Sequence, residues 1–447
     1  MDNPKKPISK LSLSILYSLS ESYTILPFMI YSALITEEAT VVNFFLPVVI
    51  IYSVQRACLV ALRGFGEITN PYRILKSGVL IALIGALMMI LSAIYQPLLL
   101  WSALLIGVGL SPFRAMFIPL SASLIESNSE LKKSKGVGTI IYLVVMLIVL
   151  AFDNSALPIV QILFLIYISI ALWILLHFDG DSLFNCSKAF DYKKNNPVYF
   201  VFGILALLTL LILRQYKQSS VSVLVWLTPL MLITFIALEV YRRRNYKSFS
   251  YKTYWVGSLK CYLMLFSLIY HSSIGNTSMA LLIYLAISIS SFLTILAKKV
   301  LKKIPSSKLN NLSMILSAIL SFSLVFPSRA INLIGLTLAE VFGNIVSAES
   351  GGRYMSDERH VKLDRPLTRL RIQTAGSIIS QLVMFYTIYF LGEIGVHHNL
   401  LEAYAAGNPN PSITLLLNIT GLICSFILLI SAILIIVLAD KKEGGVK

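Results

Sequence analysis

The chain has 447 residues, 57% of them hydrophobic and 13% charged, with a formal net charge of +16. A soluble domain carries about 25% charged residues, so there is too little polar surface here to cover a water-facing globule. That excludes a soluble globular protein, and the basic excess reads as charge holding the inner loops of a membrane protein, not as a nucleic-acid surface.

In chain order, a short basic start, MDNPKKPISK, leads into a long apolar stretch without a small-residue cleavage site, which reads as a first span and not as a signal peptide. Apolar runs between charged breaks predict fourteen helical spans, at 9–36, 40–62, 75–95, 97–125, 137–152, 155–177, 197–213, 220–240, 253–271, 275–297, 310–326, 329–347, 371–392 and 412–439. Most approach the ~20 residues that cross ~30 Å of hydrocarbon. Helices are the expected element, because hydrocarbon offers no partner to an open backbone.

Orientation follows from the basic residues. Of the 37 Lys and Arg, 31 fall on one side, as in Lys132, Lys133 and Lys135, or Arg242, Arg243 and Arg244. Arg214, Lys217 and Arg329 fall on the other, and three lie inside spans. The positive-inside rule then places both termini in the cytoplasm. His397 and His398 sit in the one long outer connection, 392–411, and read as a polar loop.

Catalytic and cofactor motifs are missing. Cys58, Cys186, Cys261 and Cys424 form no CxxC pair, which argues against a zinc site or disulfide framework. There is no phosphate-cradling GxxxxGK[ST] pattern, so ATP-driven transport is not indicated. No HExxH, nucleophile elbow or catalytic cysteine setting appears, and no cofactor is implied. The connection at 179–197, joining the first half to the inserted hairpin, is polar with aromatic residues that suit the bilayer surface, and the highly charged connection at 348–371 reads as a solvated cytoplasmic connector.

An internal repeat shows in two spans. Leu105-Ile106-Gly107-Val108-Gly109-Leu110 matches Leu333-Ile334-Gly335-Leu336-Thr337-Leu338, and both runs continue into a Ser-Ala step and a Glu-Ser pair: Ser121-Ala122 and Glu126-Ser127, then Ser347-Ala348 and Glu349-Ser350. If span four matches span twelve, the displacement is eight helices. Two six-helix halves with an inserted hairpin of spans seven and eight satisfy it: 1–178, a linker and hairpin over 179–252, and 253–447.

The loop after span two, Arg63-Gly64-Phe65-Gly66-Glu67-Ile68-Thr69-Asn70-Pro71-Tyr72-Arg73, resembles the glycine–acid–basic loop of the major facilitator superfamily. With the repeat and the span count, the chain resembles that superfamily's fourteen-helix form. Glu67 stands where the family has Asp, and the doubled basic ending is absent. Span five lacks the Gly-Pro pattern of the drug–proton antiporters, and Glu21-Ser22-Tyr23 lacks the full acidic–aromatic motif of the peptide–proton symporters. The resemblance implies an all-α polytopic membrane protein of two pseudo-symmetric bundles. It also implies gating roles for Gly64, Glu67 and Arg73, with Arg56 nearby.

Few ionisable residues lie inside spans: Glu21, Arg56, Arg114, Lys260 and Glu340. Such a charge costs at least ~2.5 kcal/mol on insertion scales and marks a pathway or a partner. By helix rise, Glu21 and Glu340 lie roughly 18 and 16 Å from the ends of their runs, near mid-depth. Arg56 and Lys260 lie nearer the cytoplasmic ends, where a long side chain snorkels. Spans one, four, nine and twelve are the first and fourth helices of each half, which line the central cavity in the family it resembles. The expectation is that Glu21 and Glu340 couple protons and that Arg114 and Lys260 are counter-charges or substrate anchors. Pro27, Pro47, Pro112 and Pro119 are expected to kink first-half spans, and Gly107, Gly109, Gly335 and Gly343 to allow close helix contact.

The function expected is secondary active transport of a small anionic or zwitterionic molecule, driven by protons, in the cell membrane. The partners are the small-molecule or lipid-like substrate, protons and membrane lipids, with no nucleic acid. A lipid-linked oligosaccharide flippase of the multidrug/oligosaccharidyl-lipid/polysaccharide type is the alternative, with its two extra spans at the end of the chain. A membrane enzyme or a non-transporting receptor stands further off.

Overall fold

A computed structural model describes residues 8–37, 41–151, 157–184, 188–215, 248–273, 279–326, 328–357, 362–395 and 411–444. The eighth apolar run and the His397–His398 pair lie outside them. Each of the other apolar runs is occupied by helix. Seven described helices are individually long and apolar enough to cross a bilayer, or eight when one bent pair counts as a single span.

The chain divides into two compact units, one of residues 1–211 with 358–370, the other of residues 212–357 with 371–447. The first unit holds α1 (Lys10–Ser22), α2 (Ile25–Glu37), α3 (Val41–Ala61), α4 (Pro71–Leu91), α5 (Leu98–Leu110), α6 (Phe113–Ser127), α7 (Ser134–Ala151), α8 (Leu157–His177) and α9 (Val198–Gln215). The second holds α10 (Ser248–Ser273), α11 (Met279–Val300), α12 (Ser306–Ser321), α13 (Arg329–Met355) and α15 (Pro411–Gly444). Helix α14 (Arg365–Gly395) begins with residues of the first unit and continues in the second.

The helices are inverted relative to those of a soluble protein. Helix α4 buries Gly78, Ala82, Gly85 and Ala86 and exposes Leu80, Ile84, Leu87 and Leu91. Small residues face protein and large ones face outward because lipid tails solvate leucine as well as a core does, leaving close packing to drive association. Caps fix the ends. Asn70 accepts from the Arg73 amide and Pro71 occupies the first helical position of α4, where its missing N–H loses nothing.

Spans one and four depart from regular helix near Pro27 and Pro112, two of the prolines expected to kink first-half spans. Span one bends by 58° between α1 and α2. The local cause is Pro27, which has no N–H to give the Tyr23 carbonyl four residues earlier. The Gln55 side chain of α3 donates to that carbonyl at 3.1 Å. Span four carries a turn at Ser111–Pro112, between α5 and α6, but continues as one helix from Leu98 to Ser127, and the Ser111 hydroxyl donates to the Gln55 carbonyl at 2.7 Å. Gln55 thus joins both irregularities. The counterpart of span four in the sequence repeat, α13, carries no such turn.

A repeat that the sequence did not reveal appears in the helix contacts. In the first unit Gly138 of α7 lies so close to α1 that a Cβ there would sit 2.7 Å from the Ser14 carbonyl and 3.3 Å from the Ser18 amide. In the second unit Gly376 of α14 meets α10 in the same way, against the Tyr254 carbonyl and, at 3.2 Å, the Ser258 amide. In each unit, therefore, two helices cross on a glycine. Around the second crossing, Ser258 donates to the Gly376 carbonyl at 2.9 Å and Ser377 to the Gly257 carbonyl at 3.0 Å.

The polar linker at 179–197 is built into the first unit by a short strand pair. Strand β1 (Glu67–Ile68) pairs antiparallel with β2 (Phe190–Asp191). Gly66 enters this pair with φ 135°, a left-handed conformation that favours glycine, and its absent side chain leaves room for the Asp191 carbonyl. Phe65 packs on Phe190 and Phe200. The backbone of loop 62–70 needs hydrogen-bond partners and the linker supplies them.

Gly138→Val and Gly376→Val force overpacking at helix crossings and are expected to destabilise by about 1–3 kcal/mol each. Gly136→Val, at a position with nothing within 4 Å of a new Cβ, is expected to change little. Thermal unfolding of the three variants in one detergent checks the order, and equal shifts for all three would remove the crossing argument.

Candidate functional site

The internal charges of the first unit meet beside the bend in span one and the turn in span four. Glu21 lies in the last turn of α1, two residues before the bend, and Arg114 in the first turn of α6, just past Ser111–Pro112. The Arg114 guanidinium stands 3.4 Å from the Glu21 carboxylate, with side-chain exposures of 39% and 30%. A charge in contact with hydrocarbon at this depth is expensive, so exposure of both partners points to water reaching them. Polar groups surround the pair on the α1 side. Tyr167 of α8 donates to Ser18 at 2.7 Å, and Tyr17 stacks edge-on against Phe117 of α6 with ring centres 4.8 Å apart.

In the second unit the polarity is exchanged. The base is on the first helix and the acid on the fourth: Lys260 of α10 stands 3.4 Å from Glu340 of α13. Glu340 is nearly dry, with 3% of its side chain exposed against 28% for Lys260. Its Oε2 accepts no hydrogen bond among the described residues. Lys260 also donates to Asn344, one turn beyond Glu340, and Asn344 donates to Ser290 of α11 at 3.3 Å. Gln381 of α14 donates to Cys261 of α10 at 3.2 Å. One ammonium therefore serves two acceptors on the same helix face, and the carboxylate has a lone pair left over.

Each acid is thus brought to a base on the other charge-bearing helix of its own half. Arg56 takes no part in either ion pair; its guanidinium lies 5.2 Å from the centre of the Tyr52 ring, a cation–π contact one turn away on α3. Gln55, Asn344 and Ser290 were not singled out in the sequence. Gln55 had a readable signal, a polar residue inside an apolar run beside an arginine. Asn344 had one too, four residues after Glu340 and so on the same helix face.

The loop residues expected to gate are tied down by charge. Arg63 pairs with Asp364 at 3.1 Å, and the same aspartate accepts from the Ile68 amide at 3.3 Å. Asp364 directly precedes α14. Glu67 accepts from Lys194 at 2.6 Å, which holds that ammonium above its ordinary pKa. Arg73 chelates Asp181 at 2.8 and 3.3 Å. Gly64 lies buried against the Phe200 ring, and its carbonyl accepts from the Asn196 amide at 3.2 Å.

No protein-family model matches the chain, and no characterised protein matches it by sequence. Solved structures do match in fold. A nucleoside transporter, NupG, is similar with a TM-score of 0.54 at 11% identity, covering 94% of this chain and 99% of that one. A bacterial homologue of the human drug peptide transporters is similar with a TM-score of 0.54 at 15% identity, covering 98% and 99%. A peptide transporter of the POT family, in complex with sulfate, gives a TM-score of 0.57 at 11% identity, covering 97% and 94%. These neighbours are transporters and not enzymes. With its long apolar helices, the chain is an integral membrane protein with the major facilitator fold.

Proposed function

We propose that the protein is a secondary active transporter that moves a small anionic or zwitterionic molecule across the cell membrane by alternating access, coupled to protons. The observation that carries this reading is the pairing of Glu21 with Arg114 and of Glu340 with Lys260, an acid and a base from inside the spans of each unit. The topology proposed with it has fourteen spans, both termini in the cytoplasm, six-helix halves at 1–178 and 253–447, and an inserted hairpin within 179–252. Similarity to transporters along nearly the whole chain favours this reading over the oligosaccharide flippase.

The roles follow from the two environments. Glu340 is nearly dry and its carboxylate faces the Lys260 ammonium at 3.4 Å. Any group that draws Lys260 away leaves that carboxylate without its base, and this is the point at which the proposed coupling proton enters. A substrate carboxylate is such a group. The Glu21–Arg114 pair is open, so either partner can exchange the other for a substrate charge of the same sign. Together the pairs present both signs, which suits a zwitterion. 5-Aminolevulinic acid, bound in the structure of a POT-family protein of similar fold, is a zwitterion and a suitable probe.

Uptake into proteoliposomes checks the coupling. With an inward proton gradient, wild-type protein is expected to accumulate a zwitterionic probe, and Glu340→Gln to lose most gradient-driven uptake while keeping exchange of internal for external substrate. Glu21→Gln is expected to raise KM. Retention of gradient-driven uptake by both variants would sink the proton-coupling assignment, and accumulation of neutral nucleosides alone would sink the substrate class.

Stability separates the pairs. Lys260→Met leaves Glu340 buried without its base and is expected to destabilise by about 3–5 kcal/mol. The double variant Lys260→Met/Glu340→Met is expected to regain most of that loss. Arg114→Met, at the open pair, is expected to change thermal unfolding by about 1 kcal/mol or less. A Lys260→Met midpoint equal to wild type would show that Glu340 is not held as a buried ion.

A further inference from the structure

The first unit carries a groove on its outer surface that the transport reading does not use. It opens where α4 and α8 pack side by side, and it encloses about 380 Å³. Its walls differ in kind. The rim is polar, formed by Arg73, Lys76 and Asp181, and the floor is apolar, formed by Leu80, Leu172 and Leu176. The floor continues along the helices as exposed apolar stripes. On α4 these are Ile84, Leu87 and Leu91, and on α8 Ile170 and Ile166. Both helices are long and apolar enough to cross the bilayer, so the groove joins a charged rim at the end of two spans to their lipid-facing sides.

The charges of the rim do not cancel. Arg73 chelates Asp181, and Asp181 also accepts from Asn70 at 2.8 Å, so that carboxylate is already engaged. Lys76 forms no ion pair or hydrogen bond with any described residue, which leaves the rim one positive charge in excess. A lysine on an outward face reaches up its helix to the headgroup level. Trp173 marks the same level on α8, 58% exposed and stacked against His177 with ring centres 4.6 Å apart.

We propose that this groove binds an anionic glycerophospholipid from the surrounding bilayer, with the phosphodiester at Lys76 and an acyl chain along Leu80 and Leu176. One excess positive charge at the rim complements the single negative charge of such a headgroup. A zwitterionic lipid brings an ammonium that finds no open carboxylate, because Asp181 is occupied by Arg73 and Asn70. A free phosphate ion would make no use of the apolar floor. The proposal rests on α4 and α8 spanning the bilayer and is independent of the transported substrate.

Native mass spectrometry of the full-length protein, titrated with phosphatidylglycerol and separately with phosphatidylcholine, tests it. One basic side chain at an anionic lipid surface contributes about fivefold in affinity. Phosphatidylglycerol is therefore expected to bind wild type more tightly than phosphatidylcholine, and Lys76→Gln to lower its affinity about fivefold. Lys76→Arg is expected to restore binding, and Lys132→Gln, in another basic loop, to leave it unchanged. Equal affinity of the two lipids for wild type would overturn the proposal without any variant. So would equal losses in Lys76→Gln and Lys132→Gln, or full displacement of the lipid by excess inorganic phosphate.

Discussion

A charge inside hydrocarbon must find a partner or water, and this constraint organises the chain. Insertion scales put an unpartnered charge at several kcal/mol, comparable with the whole stability of an ordinary domain. Glu21, Arg114, Lys260 and Glu340 therefore have to be brought together by the fold. The helices comply in two ways. In the first unit span one is bent and span four carries a turn, and the Glu21–Arg114 pair sits beside both irregularities. In the second both helices are continuous, and the pair is reached by side-chain length and by Asn344, which shares the lysine with Glu340.

The bent span shows how a backbone defect is tolerated in a membrane. Pro27 strips the Tyr23 carbonyl of its helical donor, and in lipid that group would go unsatisfied. Gln55 closes the gap from a neighbouring helix, while its own carbonyl takes the Ser111 hydroxyl at the turn in span four. A polar residue in an apolar run thus repairs the bend and anchors the turn. The same irregularities leave Glu21 and Arg114 more open than Glu340, so the two pairs differ in wetness for a structural reason.

Much of the helical fold was legible in the sequence, because hydropathy acts on long segments. The four internal charges were legible for a related reason: each is a single exception in an otherwise apolar run. Their pairing was not, since a sequence gives the depth of a residue along its helix and not the direction it faces. The bend near Tyr23 was legible as the kink expected of Pro27, whereas the side chain that satisfies the freed carbonyl, Gln55, was not, because it comes from another helix. The helix crossings at Gly138 and Gly376 escaped notice because glycines are common in membrane helices, and only coordinates separate those that touch a neighbour from those, such as Gly136, that touch nothing.

The linker at 179–197 shows what composition leaves out. Its polar and aromatic residues marked a surface segment but not its strand pair, because each strand is two residues long, too short to leave an alternating pattern. Its fixation has a consequence for the loop after span two. Glu67 is held by Lys194, Arg73 by Asp181, and Arg63 by Asp364 at the start of α14. Every charge of the family-like loop that was assigned a gating role is thus already committed to a partner of opposite sign. Exposed pairs of this kind each contribute about 1 kcal/mol or less, so they hold the loop in place while leaving it within reach of a small driving force. Asp364, with only 8% of its side chain exposed, is the strongest of these tethers, because it takes both a guanidinium and a backbone amide. It thereby ties the loop after span two to the start of α14 through side chain and backbone alike.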